Sequence, residues 1–214
     1  MAQMSTGERP ALDRDLLAAT ALMLIDRDGL AALSMRKLGA ELGVEAMSLY
    51  HYVKNKDDLL DSVLDRLYDE IEVLPAPSAD GWENALRFGV RSMHDVLIRH
   101  PAAVELFSSR PARSQASVAK LVSAYEIFTA AGLPDAEAFR AFRFAVAFVL
   151  GHSATELGVL AQLKAAAPEA SANVTDPGLR QLVEQSAGVP STQMFENGLD
   201  LLIEGLRALI EARV

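Results

Sequence analysis

The segment from Ser34 to Lys56, SMRKLGAELGVEAMSLYHYVKNK, admits few folds. Ser34 offers an N-cap hydroxyl for a helix that carries Leu38 and Leu42 on one face. Gly43 can take the left-handed backbone of a tight turn. Val44 and Leu49 then close a small core, and a short helix from about Ala46 to Tyr52 leads to Lys54 and Lys56. This order of cap, turn and short second helix is that of a helix-turn-helix, whose second helix lies in the major groove of DNA.

In that layout Ala46, Met47, Ser48 and His51 face the groove. Ser34 and the helix N-terminus behind it, with Met35 in the first turn, form a phosphate clamp. Arg36 reaches a guanine edge or a phosphate. Tyr50, Tyr52, Lys54 and Lys56 hold the backbone on the other side. Lys56 starts the next helix, where a cation opposes the helix dipole unless an anion bridges the two. Duller roles compete: a core aromatic for one of the two tyrosines, solubility for the lysines, gap filling for Met47.

Helical signals continue along the whole chain of 214 residues, which is read as all-α. A first helix is expected from Asp13 to Asp28, with Leu12, Leu16, Thr20, Met23 and Arg27 along one side and Gly29 as its stop. Asn55 caps a fourth helix, 56–73, carrying Leu59, Leu60, Val63, Leu64, Leu67 and Ile71. Pro75-Ala76-Pro77-Ser78 interrupts the pattern and divides a DNA-binding domain, 1–74, from a second domain, 75–214. That second domain is expected to hold helices from Asp80 to Arg99, from His100-Pro101 to Ser109, from Pro111 to Ala131 and from Pro134 to Lys164. A mobile loop over 165–176, a short helix from Pro177 and a last helix capped by Ser191 follow.

The net charge of −9 is unusual for a chain that binds nucleic acid. Its distribution matters more: Arg36, Lys37, Lys54 and Lys56 outnumber Glu41 and Glu45 in the motif, and the acid sits mainly in the remainder, although a surplus of two charges is also what chance would give. A local basic face can bind phosphates while the rest limits non-specific adhesion. The absence of cysteine excludes disulfides and thiolate zinc sites. With no signal peptide and no run of about 18 apolar residues, a cytoplasmic protein without a membrane partner is expected.

From Leu12 to Leu67 the chain resembles the DNA-binding domain of the tetracycline-repressor family of bacterial transcription regulators. The resemblance rests on Gly29-Leu30, Ser34-Met35-Arg36-Lys37-Leu38, Leu42-Gly43-Val44, Leu49-Tyr50-His51-Tyr52-Val53 and Lys56-Asp57-Asp58-Leu59-Leu60-Asp61. It implies DNA contacts for Ser34, Arg36, Tyr50 and Lys56 and base-facing positions for Ala46, Met47, Ser48 and His51. Gly39 stands where the family often has alanine, a departure expected to loosen the helix by about 1 kcal/mol. Trp82, Leu97-Ile98-Arg99-His100-Pro101, Ala130-Ala131-Gly132-Leu133, Leu150-Gly151-His152 and the run Phe195–Leu206 resemble, more loosely, the larger domain of the tetracycline repressors themselves. This implies an effector pocket and a homodimer built from the last helix and the long Pro134–Lys164 helix. The stretch Glu105–Pro111 lacks the histidine on which drug–magnesium binding in that branch depends, and Asp69–Glu72 lacks the family's drug-contacting histidine, so no tetracycline–magnesium site is expected.

The dimer face is expected along Phe195, Gly198, Leu199, Leu202, Gly205, Leu206 and Leu209 on the last helix, with Phe139, Phe142 and Val146 on the long one. Packing of the same stripe inside its own chain is the competing reading. The pocket is expected among Trp82, Leu86, Val90, Met93, His94, Leu97, Phe107, Phe144 and Phe148, with Arg143, His152 and Thr155 as polar groups, and plain core roles compete at each aromatic. These features describe a regulator, most simply a repressor released from a near-palindromic DNA operator by a small hydrophobic or aromatic effector. A helical partner-binding protein without specific DNA binding is the alternative. No phosphate loop, nucleophile elbow or histidine metal spacing supports an enzyme, a cofactor or a metal.

Overall fold

The computed structural model describes residues 11–74, 81–165 and 190–212, and all regular structure among them is helical. The expected boundary at Pro75–Ser78 and the segment after Ala165, with the helix expected at Pro177, lie outside the described residues. Nine α-helices are described: α1 Arg14–Asp28, α2 Met35–Leu42, α3 Ala46–Leu49, α4 Lys56–Glu70, α5 Trp82–Arg99, α6 Ala103–Ser109, α7 Gln115–Ala130, α8 Asp135–Ala165 and α9 Ser191–Glu211.

Local chemistry sets most helix ends. The side chains of Asp13, Ser34, Asn55 and Ser114 each accept a hydrogen bond from a backbone N–H one turn on, satisfying a donor that the helix leaves open. Gly43 ends α2 in the left-handed conformation at φ 70°, where a β-carbon would be strained. Ser191 opens α9 but does not cap it; Pro190 holds the cap position and its ring presets the entry.

The first helix buries a different face from the one expected. Leu17, Ala18, Ala21, Leu22, Leu24 and Ile25 are buried, whereas Met23 and Arg27 are exposed. The run from Leu16 to Ile25 is apolar or small almost all round, so periodicity selects no face; contact with α4 does.

α4 is a strut with two sets of neighbours. Leu59, Val63, Leu64 and Leu67 pack into the core, and polar ties from the larger domain run along its length. Arg110 binds Asp57 and Asp61, Ser117 donates to Asp65 at 2.6 Å, and Arg99 reaches Glu70 at 2.6 Å. His100 bridges Asp26 of α1 (2.8 Å) and Glu70 of α4 (3.2 Å). The first four helices are therefore held to the later ones by charge-assisted contacts as well as by apolar packing.

Candidate nucleic-acid interface and ligand cavity

α2 and α3 present one polar face. Leu38 and Leu49 are fully buried between them and Val53 closes the core beneath. Outward stand Met47, 72% exposed, with Tyr50, His51 and Tyr52; Ala46 and Ser48 are half-buried at the same rim. α3 is only four residues long, and tight i→i+3 bonds carry the chain on: Tyr50 N–H donates to the Met47 carbonyl and Tyr52 N–H to that of Leu49.

The Ser34 hydroxyl accepts the Lys37 N–H at 3.2 Å. Lys37 itself is taken up by Asp28 at 2.8 Å. Arg36 and Lys54 are exposed and Lys56 is half-buried at the start of α4. These three cations lie at the motif's two ends, where the duplex backbone would pass. Met35 does not belong with them: its side chain is buried in the head, so its thioether cannot reach a groove. Helix phase accounts for this, because Met35 and Leu38 are three apart and share the inward face.

Gly39 proves to be a close-approach residue. A β-carbon there would lie 2.8 Å from the Val44 carbonyl oxygen and 3.1 Å from the Ala46 nitrogen. The glycine lets α2 cross against the backbone leading into α3, and the expected loosening of the helix is the lesser effect.

Asp58 locks the motif to α1 and α4. It pairs with Arg14 and accepts the Lys54 backbone N–H at 2.8 Å, while Asn55 caps the same turn. The Arg14 hydrogen bond, seconded by the Lys54 amide, holds the Asp58 carboxyl below the usual carboxylate range.

A cavity of about 110 Å³ opens between the end of α4 and helices α5 to α8. Leu86, Val90, Met93 and Phe107, expected at a pocket, are among its lining residues. Phe142 and Val146, expected at a dimer face, also line it. The sequence reading missed Tyr68, Ile71 and Lys120. Tyr68 meets Phe107 edge-on, ring centroids 4.9 Å apart. Lys120 sits in an otherwise apolar wall and donates to the carbonyls of Tyr68, Asp69 (2.8 Å) and Ile71 (2.6 Å), the last turn of α4. Burial pushes its ammonium below the ordinary lysine value and burial pushes the Tyr68 phenol up. A lone lysine in the apolar first half of α7 was the available signal.

The remaining residues expected in the pocket lie elsewhere. Trp82 and Leu97 are buried core. Thr155 is exposed and bonds the Gly151 carbonyl of its own helix, and Arg143 is exposed. His94, His152 and Phe148 gather around Phe195: His94 stacks on that ring at 4.1 Å and Phe148 at 5.6 Å. Burial holds the His152 imidazole below its ordinary value.

The stripe expected at a dimer face packs inward. Phe195, Leu199, Leu202 and Leu206 are buried within the chain. A β-carbon on Gly198 would meet the Phe148 ring at 2.6 Å. Arg91–Glu196, Arg87–Asp200 and Arg207–Glu83 ion pairs fasten α9 along α5. The face left open carries Leu201 (71% exposed), Leu209 and Gly205 on α9, with Phe144 (62% exposed) and Phe139 on α8. The apolar stripe of α9 is wider than one contact needs, so phase alone did not separate its two sides.

Residues 17–63 match the family described as bacterial regulatory proteins, tetR family, and residues 74–210 match the tetracyclin repressor-like C-terminal domain. An HTH-type transcriptional regulator of Saccharopolyspora erythraea is 35% identical over 148 residues, 69% of this chain; the match spans 62% of that relative's length. The HTH-type transcriptional repressor DrrR1 of Streptomyces coeruleorubidus is 30% identical over 98% of this chain and 82% of its own. Among solved structures, the Streptomyces coelicolor TetR family protein ActR in complex with actinorhodin superposes with a TM-score of 0.78 at 27% identity, covering 94% of this chain and 99% of that one.

Proposed function

The chain belongs to the tetracycline-repressor family of bacterial regulators, and from that premise we propose how its parts work as a repressor. It is a ligand-responsive DNA-binding transcriptional regulator and not an enzyme. The finer reading is a homodimer that holds a near-palindromic operator in the cytoplasm and releases it when a small hydrophobic or aromatic molecule enters the cavity. No helix among the described residues is long and apolar enough to cross a membrane.

One observation carries this reading: α4 belongs to both sites. Its first residue, Lys56, stands at the DNA-facing rim, and Tyr68 in its last turn, with Ile71 just beyond, forms a wall of the cavity. At about 110 Å³ the cavity is smaller than the roughly 300–1,000 Å³ that drug-sized ligands occupy. Entry of such a ligand parts the walls. A ligand polar group that takes Lys120 also removes the hydrogen bonds fixing the end of α4. Displacement of α4 then changes the spacing of two heads that must sit one DNA turn, about 34 Å, apart.

The open α8–α9 face suits the dimer, two helices from each copy forming a four-helix bundle. Within each head, Ser34, Arg36, Tyr50, Tyr52, Lys54 and Lys56 hold phosphates, and Met47, Ser48, His51 and the rim at Ala46 meet base edges. Few of these make bidentate base contacts, so DNA shape and thymine methyl contacts carry much of the readout. The stretch Glu105–Pro111 holds no histidine for a drug–magnesium site, which disfavours tetracycline as effector.

A salt-titrated gel shift on DNA upstream of the protein's own gene tests the reading. Specific retardation that weakens with salt, and with one member of a small-molecule panel, is expected. Arg36→Ala should weaken specific binding by roughly 10- to 100-fold at unchanged thermal stability. A folded dimer that shifts no DNA at any salt would overturn it.

A further inference from the structure

We propose that His94, His152 and Glu156 form a binding site for one divalent cation of the zinc class, joining α5 to α8 beneath α9. His94 lies on α5; His152 and Glu156 stand one turn apart on α8, so both side chains leave the same helical face. The Nε2 atom of His94 is 2.9 Å and that of His152 is 3.5 Å from the same Glu156 carboxylate oxygen. A donor atom from each of the three lies within 4.8 Å of the other two. Zinc bonds of about 2.0–2.2 Å in a tetrahedral site set donors roughly 3.4 Å apart. Two of the three separations already bracket that value, and the third is within 4.8 Å.

Two further observations favour an ion over a plain hydrogen-bonded cluster. The Nε2 atom of His152 is buried, and the Glu156 carboxylate oxygen beside it, at 3.5 Å, is too far for a good hydrogen bond, a costly state that a metal bond removes. The site is also walled off: Phe195 stacks on His94, and the three donor side chains are at most 14% exposed. Two imidazoles and one carboxylate, without thiolate, suit zinc and leave a fourth position for water.

The site is separate from the cavity but shares its walls. His94 follows Met93, and His152 lies one turn beyond Val149; both neighbours line the cavity. A bound cation would thus hold α5 and α8 together. It also lies on different helices from the α6 stretch on which the family resemblance would place drug-bound magnesium.

The test uses the full chain, freed of any purification tag and treated with chelator, titrated calorimetrically with zinc sulfate. One zinc per chain with a Kd at or below the micromolar range, a rise in melting temperature and no response to magnesium are expected. Cobalt(II) should give the strong visible bands of a four-coordinate site. His152→Phe and Glu156→Gln should each weaken zinc binding at least tenfold. Absence of saturable binding, zinc affinity unchanged in both variants, or cobalt bands of a six-coordinate aquo ion would overturn the proposal. The cobalt spectrum of the unaltered protein decides the matter if a variant fails to fold. DNA binding is not a readout here, so this result stands apart from the repressor reading.

Discussion

The ammonium of Lys120 on α7 donates to the carbonyl of Ile71 just past the end of α4, at 2.6 Å, from within the wall of the cavity. One side chain thus touches both the space a ligand would fill and the helix that carries the DNA-binding head. Its charge serves as an external cap for α4, whose last carbonyls lack partners of their own.

Replacing that ammonium should therefore affect stability and coupling together. Lys120→Met keeps the stem's bulk but strands the carbonyls of Tyr68, Asp69 and Ile71. A loss of about 1–3 kcal/mol in denaturant unfolding is expected. The variant should bind operator yet respond less to whichever panel compound releases the parent protein. A full response in a gel shift would show that the lysine is not the link.

Asp58 predicts an acid limit for the head. Its carboxyl is held below the unfolded value by the Arg14 hydrogen bond and the Lys54 amide. A carboxylate lowered on folding contributes fully above its unfolded pKa and loses that contribution as pH falls through the folded one. Asp58→Asn should cost about 1 kcal/mol at neutral pH. Melting curves of the two proteins should draw together as pH falls below the ordinary carboxylate range; a constant gap through that fall would refute the linkage.

Gly39→Ala sets two effects against each other. Helix propensity gains about 1 kcal/mol, but the new methyl meets the Val44 carbonyl at 2.8 Å. Backbone on both sides cannot yield as a flexible side chain would, and overpacking costs roughly 1–3 kcal/mol. A net loss of about 1 kcal/mol, with weaker operator binding from a displaced α3, is expected. A more stable protein of unchanged DNA affinity would show that the turn yields easily.

The two sides of α9 should respond differently. Leu199→Ala hollows the interior and should cost about 2–5 kcal/mol in any oligomeric state. Leu201→Asp places a charge on the open face; a folded chain of half the molecular mass by light scattering is expected, with operator affinity reduced at least tenfold. A Leu201→Asp protein that keeps its dimeric mass would move the interface elsewhere.

The helix-turn-helix was legible because its signals are local. Ser34, Gly43 and Asn55 set caps and turns through atoms at most a few residues away. The cavity was half legible. Leu86, Val90 and Met93 share one face of an amphipathic α5, but Phe142 and Val146 lie on α8, where aromatic and aliphatic residues occur on every side. Lys120 is a charge and Tyr68, in phase with Leu60 and Leu64, reads as plain core, so periodicity marked neither as a cavity wall. The His152–Glu156 spacing was visible in the sequence; His94, 62 residues from Glu156, became its neighbour only through packing.

By itself, then, the sequence determined the main helices, the caps at Ser34 and Asn55 and the DNA-binding motif, since each follows from backbone groups and side chains within a turn or two. Tertiary structure decided which faces of α1, α8 and α9 are buried, that Met35 turns inward, and that α4 is gripped from both domains. The physical reason is the same in each case. A helix apolar on several sides has no phase to read, and its burial is chosen by the partner that reaches it across the fold.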